Sequence, residues 1–209
     1  MQQKQKLILV GGGEQGSLSA EIAAFSWDVT GFVDAKAVEP YSAIPWLGTD
    51  ADIYAILQEH SGARVFISIG NNRIREKLVD FYALPEEIYA VIVHPSAIIS
   101  ASASIAPGSL IAAGAIINTR AVVEAHVIIN SGSIVEHDCH IGAFSHIAPG
   151  VVMGGGCSIG QGAFIGLGAR IKDHCSIGAG AVVGAGAVVI GDVPEGVTVV
   201  GVPAKQIKA

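Results

Sequence analysis

From residue 99 to residue 189 an aliphatic side chain stands at every sixth position without a miss: Ile99, Ile105, Ile111, Ile117, Val123, Ile129, Val135, Ile141, Ile147, Met153, Ile159, Ile165, Ile171, Ile177, Val183 and Val189. Two residues before each lies a second column, Ala97 through Ala187, that holds only Ala, Ser, Cys and Val. Side chains two residues apart that point the same way mark an extended segment. A strand this short cannot bury its apolar face alone. Three six-residue units close a triangular coil of 18 residues, and coils stacked at about 4.8 Å enclose a continuous interior. Sixteen units make a little over five such coils, with no insertion to break the count.

The register explains the cysteines. Cys139, Cys157 and Cys175 are 18 residues apart in the small inward column, so they read as stacked packing groups rather than a redox or metal set. Gly142, Gly154, Gly160, Gly166, Gly178 and Gly184 each follow the large aliphatic residue, and a corner of the coil is expected at them. The chain is 51% hydrophobic but only 6% aromatic, with 27 glycines, so small and aliphatic side chains must fill the core. Its formal net charge is -6 and its Lys and Arg are scattered, which argues against nucleic acid or an anionic membrane as a partner. LILV at 7–10 is too short for a secretory signal, and no apolar run is long enough to span a bilayer; a cytoplasmic protein is expected.

The first third reads differently. LILV is a buried strand, and GGGEQG places Gly11, Gly13 and Gly16 in GxGxxG spacing ahead of a helix-like SLSAEIAAFS. VTGFVD gives a second strand ending at Asp34; a helix near 50–60, a strand at 64–70, a helix NRIREKLVDFYA and a strand IYAVIV at 88–93 follow. Alternating strands and helices predict a small parallel sheet, an α/β Rossmann-like half-domain. The glycines would let a phosphate approach N–H groups at a helix start, with Asp34 near a ribose or base donor. With about 90 residues available, a nucleotide sugar fits better than a dinucleotide. The expected domains are 1–93 and 94–209.

One polar cluster interrupts the apolar repeat: VEHDCHIG at 135–142, with NSGSIVEHD before it and HIAPG at 146–150 after it. Together with the uninterrupted hexads, the ending DVPEGVTVVGVPAKQIK, the run SIGNNRIREKL at 68–78 and the junction VHPSA at 93–97, it resembles the hexapeptide-repeat acyltransferases, whose fold is a left-handed parallel β-helix. Within them it is similar to the bacterial nucleotide-sugar N-acetyltransferases that acetylate a 4-amino group, and to their sialic acid O-acetyltransferase relatives. Two departures are visible: Gln15 stands where the family often has His, and Ala35 where some members have a second acid.

The resemblance implies acetyl-CoA as co-substrate, no metal, a nucleotide-sugar acceptor and a homotrimer with sites shared between copies. His137 is the expected general base for the attacking amine, since an imidazole titrates near neutral pH. Asp138, or less readily Glu136, would orient it. Gly155, one coil above His137, would offer its N–H to the thioester oxygen as charge develops. His146 would contact the coenzyme from half a coil away, and Leu167 and Ala185 would flank the pantetheine arm. Gly13, Gln15, Asp34 and Asn130 are expected on the nucleotide sugar. His126, His140 and His174 are read as surface residues. A zinc enzyme on this helix would need converging imidazoles, and the His spacings do not supply them. A purely structural solenoid is a competing reading, as is a sugar O-acetyltransferase that would use the same residues.

Overall fold

KLILV forms β1 (Lys6–Val10), buried along its last four residues. It lies at the centre of a four-stranded all-parallel sheet of order β3-β2-β1-β4, with β2 at Asp28–Val33, β3 at Trp46–Gly48 and β4 at Arg64–Ile67. Helices α1 (Glu14–Ala23), α2 (Ile53–Glu59) and α3 (Asn72–Tyr82) connect them. This computed structural model describes residues 4–36 and 44–207; residues 1–3, and Lys208 of the C-terminal motif, lie outside the described residues. Two glycines set the strand-to-helix turn. Gly11 has φ +103°, which favours glycine, and a Cβ on Gly16 would stand 2.2 Å from the Gly11 carbonyl oxygen, so α1 can lie this close to the end of β1 only because Gly16 lacks a side chain. The strand expected over 88–93 is not one element. Tyr89 makes a single bridge to Val65, whereas Ile92–Val93 pairs with Leu110–Ile111 and already belongs to the second architecture.

From Ile92 onward the chain is a left-handed parallel β-helix of two-residue strands in three sheets. On one face the ladder runs Ile92, Leu110, Ile128, His146, Phe164, Val182, each 18 residues from the last. Near the end Val182 pairs with Thr198, and Lys205–Gln206 folds back antiparallel on β-strand Thr198–Val200. From Ser109 onward the inward columns are closed to solvent, while Ala97, Ile99, Ala103 and Ile105 of the first coil are half-buried: Ile111, Ile117, Val135, Ile147 and Ile165 are 0% exposed, and the three cysteines are buried free thiols. Cys139 and Cys157 each donate to a carbonyl of the next coil, Gly154 and Lys172.

The corners fall on a different column from the one expected. Fourteen successive residues at period six, from Gly108 to Gly186, have positive φ, and five are not glycine: Arg120, His126, Asp138, Phe144 and His174. Gly142, Gly160, Gly166 and Gly178 are needed for another reason. A Cβ there would lie 2.4–2.7 Å from a backbone nitrogen of the following coil, so they permit close stacking rather than the bend. The three edges of the prism therefore differ. One, through 114, 132, 150, 168 and 186, is all glycine. A second carries Arg120, Asp138, Gly156 and His174, and a third carries His126 and Phe144. A non-glycine residue in this region costs of order 1–2 kcal/mol, so its placement marks an edge where the side chain matters.

The third edge is where the N-terminal domain docks. Ile92, Leu110 and Ile128 share a core with Leu7, Leu9, Phe32 and Phe66. Beside them Arg75 is 0% exposed and donates to the carbonyls of Ile69 (2.9 Å), His126 (2.8 Å) and Phe144 (2.7 Å), and to Asn72 Oδ1 (3.0 Å). It has carbonyls for partners and no buried carboxylate, and burial lowers its pKa to about 10. Asn72 continues the seam to the Gly162 and Ala163 carbonyls. His126, expected at the surface, is buried at 3% exposure between Tyr89 and the stacked ring of Phe144. The alternation of inward columns says nothing of the outer face, which here is covered by another domain.

Candidate active site

His137 and Asp138 form the corner after strand Ile134–Val135, and both are exposed. Their order follows from the left-handed turn at Asp138, φ +59°, which aims its carboxylate back along the edge. Asp138 Oδ2 lies 2.8 Å from His137 Nδ1. With a carboxylate there, the neutral ring carries its proton on Nδ1 and presents Nε2 as an acceptor. Arg120, one coil below, donates through Nε to Asp138 Oδ1 (2.6 Å) and through Nη2 to Oδ2 (2.7 Å). This fork, and after it the His137 hydrogen bond, hold the Asp138 carboxyl well below the usual carboxylate range. Glu136 folds back onto its own corner, accepting from the His137 N–H at 3.3 Å.

The coil above presents Gly154, Gly155 and Gly156. A Cβ on Gly155 would stand 2.5 Å from His137 Cε1 and 2.6 Å from Nε2. The imidazole thus occupies the space a side chain would need. A Cβ on Gly156 would in turn meet the His174 ring at 2.5 Å, and one on Gly154 would meet the Asp173 backbone at 2.6 Å. The triplet is a ledge of bare backbone between two imidazoles. Among the described residues the Gly155 N–H has no acceptor, while its carbonyl accepts from His174 N. An exposed imidazole acceptor beside a free N–H donor suits a reaction that takes a proton from a nucleophile while negative charge grows on a carbonyl oxygen.

The other sequence candidates lie elsewhere. His146 is buried, with Nδ1 3.2 Å from the Gly70 carbonyl and Nε2 3.2 Å from Asn130 Nδ2, and its ring meets Phe164 edge-on. Burial lowers its pKa to about 4, so it stays neutral. Asn130 spends its Oδ1 on the Ser131 N–H. Leu167 and Ala185 are exposed along the all-glycine edge, with Gly186 N bonded to the Leu167 carbonyl. Within one chain neither they nor His146 join His137. His140 is exposed and bonds Glu124 at 2.7 Å, and His174 is exposed. Among the described residues no three His, Cys, Asp or Glu side chains stand together as a metal site.

A separate cleft of about 610 Å³ opens beyond the carboxyl ends of β1 and β4, between the start of α1 and the segment after β4, lined by Gly13, Glu14, Gln15, Leu18, Ser68, Ile69 and Gly70. Gly13 caps α1, and nothing lies within 4 Å of where its Cβ would be. The Gln15 amide nitrogen is buried without a partner among the described residues. Asp34 accepts from the Gly12 N–H at 2.9 Å, which braces the glycine turn from the tip of β2. Gly70 links this cleft to the β-helix, since its carbonyl receives His146. Sequence reasoning missed Arg120, Arg75, Asn72 and Gly156. Arg120 was within reach of the same rule that found Gly155, because 138 minus 18 is 120.

A hexad prism with a basic residue held over a bare ledge, beside a domain with a polar cleft at a helix start, defines an acyltransferase of the hexapeptide-repeat class. Residues 6–81 match the family described as the PglD N-terminal domain. The whole chain is similar to a histidine-to-alanine variant of GDP-perosamine N-acetyltransferase from Caulobacter crescentus in complex with CoA and GDP-perosamine. The two share 35% identity over 98% of this chain and 97% of that one, at a TM-score of 0.91. It is also similar to the acetyltransferase domain of PglB from Neisseria gonorrhoeae in complex with acetyl coenzyme A (34% identity, 98% and 100% covered, TM-score 0.89). A third is WeeI from Acinetobacter baumannii (28%, 98% and 100%, TM-score 0.86). No curated protein sequence matches the chain. The chain belongs to the nucleotide-sugar N-acetyltransferases of the hexapeptide-repeat superfamily and is an acetyltransferase. None of its described helices is long and apolar enough to cross a membrane.

Proposed function

We propose that the protein transfers the acetyl group of acetyl-CoA to the 4-amino group of a nucleotide-linked amino sugar, in the cytoplasm and as a homotrimer. The observation that carries this reading is His137, held through Nδ1 by Asp138 with Nε2 packed against the bare Cα of Gly155, 2.6 Å from where a Cβ would stand. The amine nitrogen attacks the thioester carbon and its proton passes to His137 Nε2. The carbonyl oxygen becomes anionic against the Gly155 N–H, and collapse of the adduct expels the thiolate, which takes up the proton as free thiol. Asp138 stabilises the transient imidazolium without itself being protonated.

Within one chain the cleft at Gly13 and Gln15 and the His137 corner belong to different parts of the molecule. A trimer accounts for this: the edge with His137 and Gly155 on one copy meets the edge with Leu167 and Ala185 on the next, and the acyl arm of the coenzyme runs between them. His146 and Asn130 then serve the substrate side, His146 by holding Gly70 at the mouth of the cleft. The relatives that hold CoA with GDP-perosamine support an amine as the acceptor.

The test is thiol release from acetyl-CoA against UDP-, GDP- and dTDP-linked 4-amino sugars, with free sialic acid alongside and products identified by mass and amide signals. An N-acetylated nucleotide sugar supports the reading. Release with sialic acid alone would replace it with O-acetyl transfer, and no release with any of them would overturn it.

A further inference from the structure

Arg120 lies on the far side of Asp138 from His137, and no step above uses it. We infer that Arg120 is a positioning residue for the transfer: it fixes the Asp138 carboxylate so that one oxygen stays aimed at His137, and its charge limits how strongly that carboxylate draws a proton onto the imidazole. The inference rests on the reading of His137 as base.

The geometry is a relay along one edge. Asp138 Oδ2 is shared, 2.7 Å from Arg120 Nη2 and 2.8 Å from His137 Nδ1, while Oδ1 is taken by Arg120 Nε at 2.6 Å. Both carboxylate oxygens are therefore occupied, and the carboxylate cannot swing away from the ring without breaking the fork. Arg120 is itself anchored, its N–H bonded at 3.2 Å to Ser102 Oγ one coil further down. Arg120 and Asp138 both adopt the left-handed corner conformation, φ +57° and +59°, where the neighbouring edge uses glycine throughout. An ion pair this exposed, with side chains 63% and 43% accessible, adds little to stability. Two strained corners for a pair of small stabilising value point to a role other than holding the fold.

The Arg120 charge acts on the ring in one direction. A lone Asp138 anion would favour imidazolium. With Arg120 bound the pair is close to neutral, and the ring gives up its proton more readily when turnover requires it. The other charged groups facing the ring are few. Glu136 sits on its own corner, accepting from the His137 N–H; the coil directly above is Gly154–Gly156 and carries no charge, and only the second coil above carries Lys172, Asp173 and His174, with His174 Nε2 3.9 Å from Asp173 Oδ2.

The test compares full-length Arg120→Met and Arg120→Lys with the parent. Two readouts are taken: the pH profile of kcat/KM, and the ¹⁵N titration of the His137 imidazole, assigned by its loss in His137→Gln. Removing one charge about 6 Å from the ring in a water-like dielectric moves a titration by about half a pH unit. Arg120→Met should raise the His137 midpoint and the acid limb by that amount and lower kcat about 10-fold. Arg120→Lys, which keeps the charge and loses the fork, should leave the limb in place with a kcat loss of a few-fold. A midpoint and limb that stay put in Arg120→Met, whatever happens to its melting temperature, would overturn the inference. Full turnover in His137→Gln would remove the base reading instead, and the imidazole titration would still report whether Arg120 governs the ring.

Discussion

Replacing Gly155 with alanine separates the position of the base from everything else at the site. The backbone there is not left-handed, so alanine can adopt it, and the N–H proposed to meet the thioester oxygen is retained. The new methyl, however, would stand 2.5 Å from His137 Cε1 and 2.6 Å from Nε2, where carbon contacts need about 3.5 Å. The ring must retreat by about 1 Å. It is free to do so because it faces solvent, but the retreat stretches its 2.8 Å bond to Asp138. A displacement of that size costs about 10²-fold in rate, or about 2.7 kcal/mol of barrier. The assay is steady-state thiol release from acetyl-CoA with a 4-amino nucleotide sugar, read beside the thermal midpoint. We expect kcat to fall about 100-fold while the midpoint moves by no more than a degree or two. A kcat within twofold of the parent would refute the claim that the ledge sets the position of the imidazole.

Other consequences follow from the same contacts. Arg75→Leu leaves the carbonyls of His126, Ile69 and Phe144 without their donor and should cost about 3–5 kcal/mol, seen as separate calorimetric transitions for the two domains; a single unshifted transition would contradict the docking account. Gly178→Ala drives a Cβ to 2.4 Å from the Glu195 backbone nitrogen, whereas Gly162→Ala meets open space and bears only its φ of +67°. The first should therefore lower the melting temperature by several degrees more than the second. His126 and His146 are buried, with pKa values lowered to about 4, while in the unfolded chain they titrate near 6.5. Between those values the unfolded state binds more protons, so stability should be full above pH 6.5, fall as pH drops toward 4 and level off below. Chemical denaturation across that range checks it, and a flat profile would count against buried neutral imidazoles.

The prism is legible because its period is exhaustive: sixteen inward hits leave no other architecture that buries them. The same arithmetic places Gly155 against His137, an absence of side chain matched to a ring. What stays hidden belongs to the outer surface and to the backbone. His126 looks like any surface imidazole, since an inward-facing pattern carries no information about which outer face a second domain covers. The corner glycines fall in the wrong column because sequence shows that a Cβ is missing, not whether the cause is a positive φ or the coil above. β3 escapes notice as a three-residue strand with little periodicity to read, and the strand at 88–93 is split because an apolar run does not say which sheet it joins. His146, expected at the coenzyme, is bonded on both nitrogens at the domain seam, a placement that follows from Gly70 reaching across from the first domain.

In the proposed mechanism, side chains eighteen residues apart assemble on one edge of the prism into a proton-accepting site for acetyl transfer. The most direct measurement is the kcat of His137→Gln in the acetyl-CoA assay, with far-UV circular dichroism and melting recorded on the same sample. The account expects a loss of about 10²- to 10⁴-fold with spectrum and melting unchanged. Turnover equal to the parent's would contradict it.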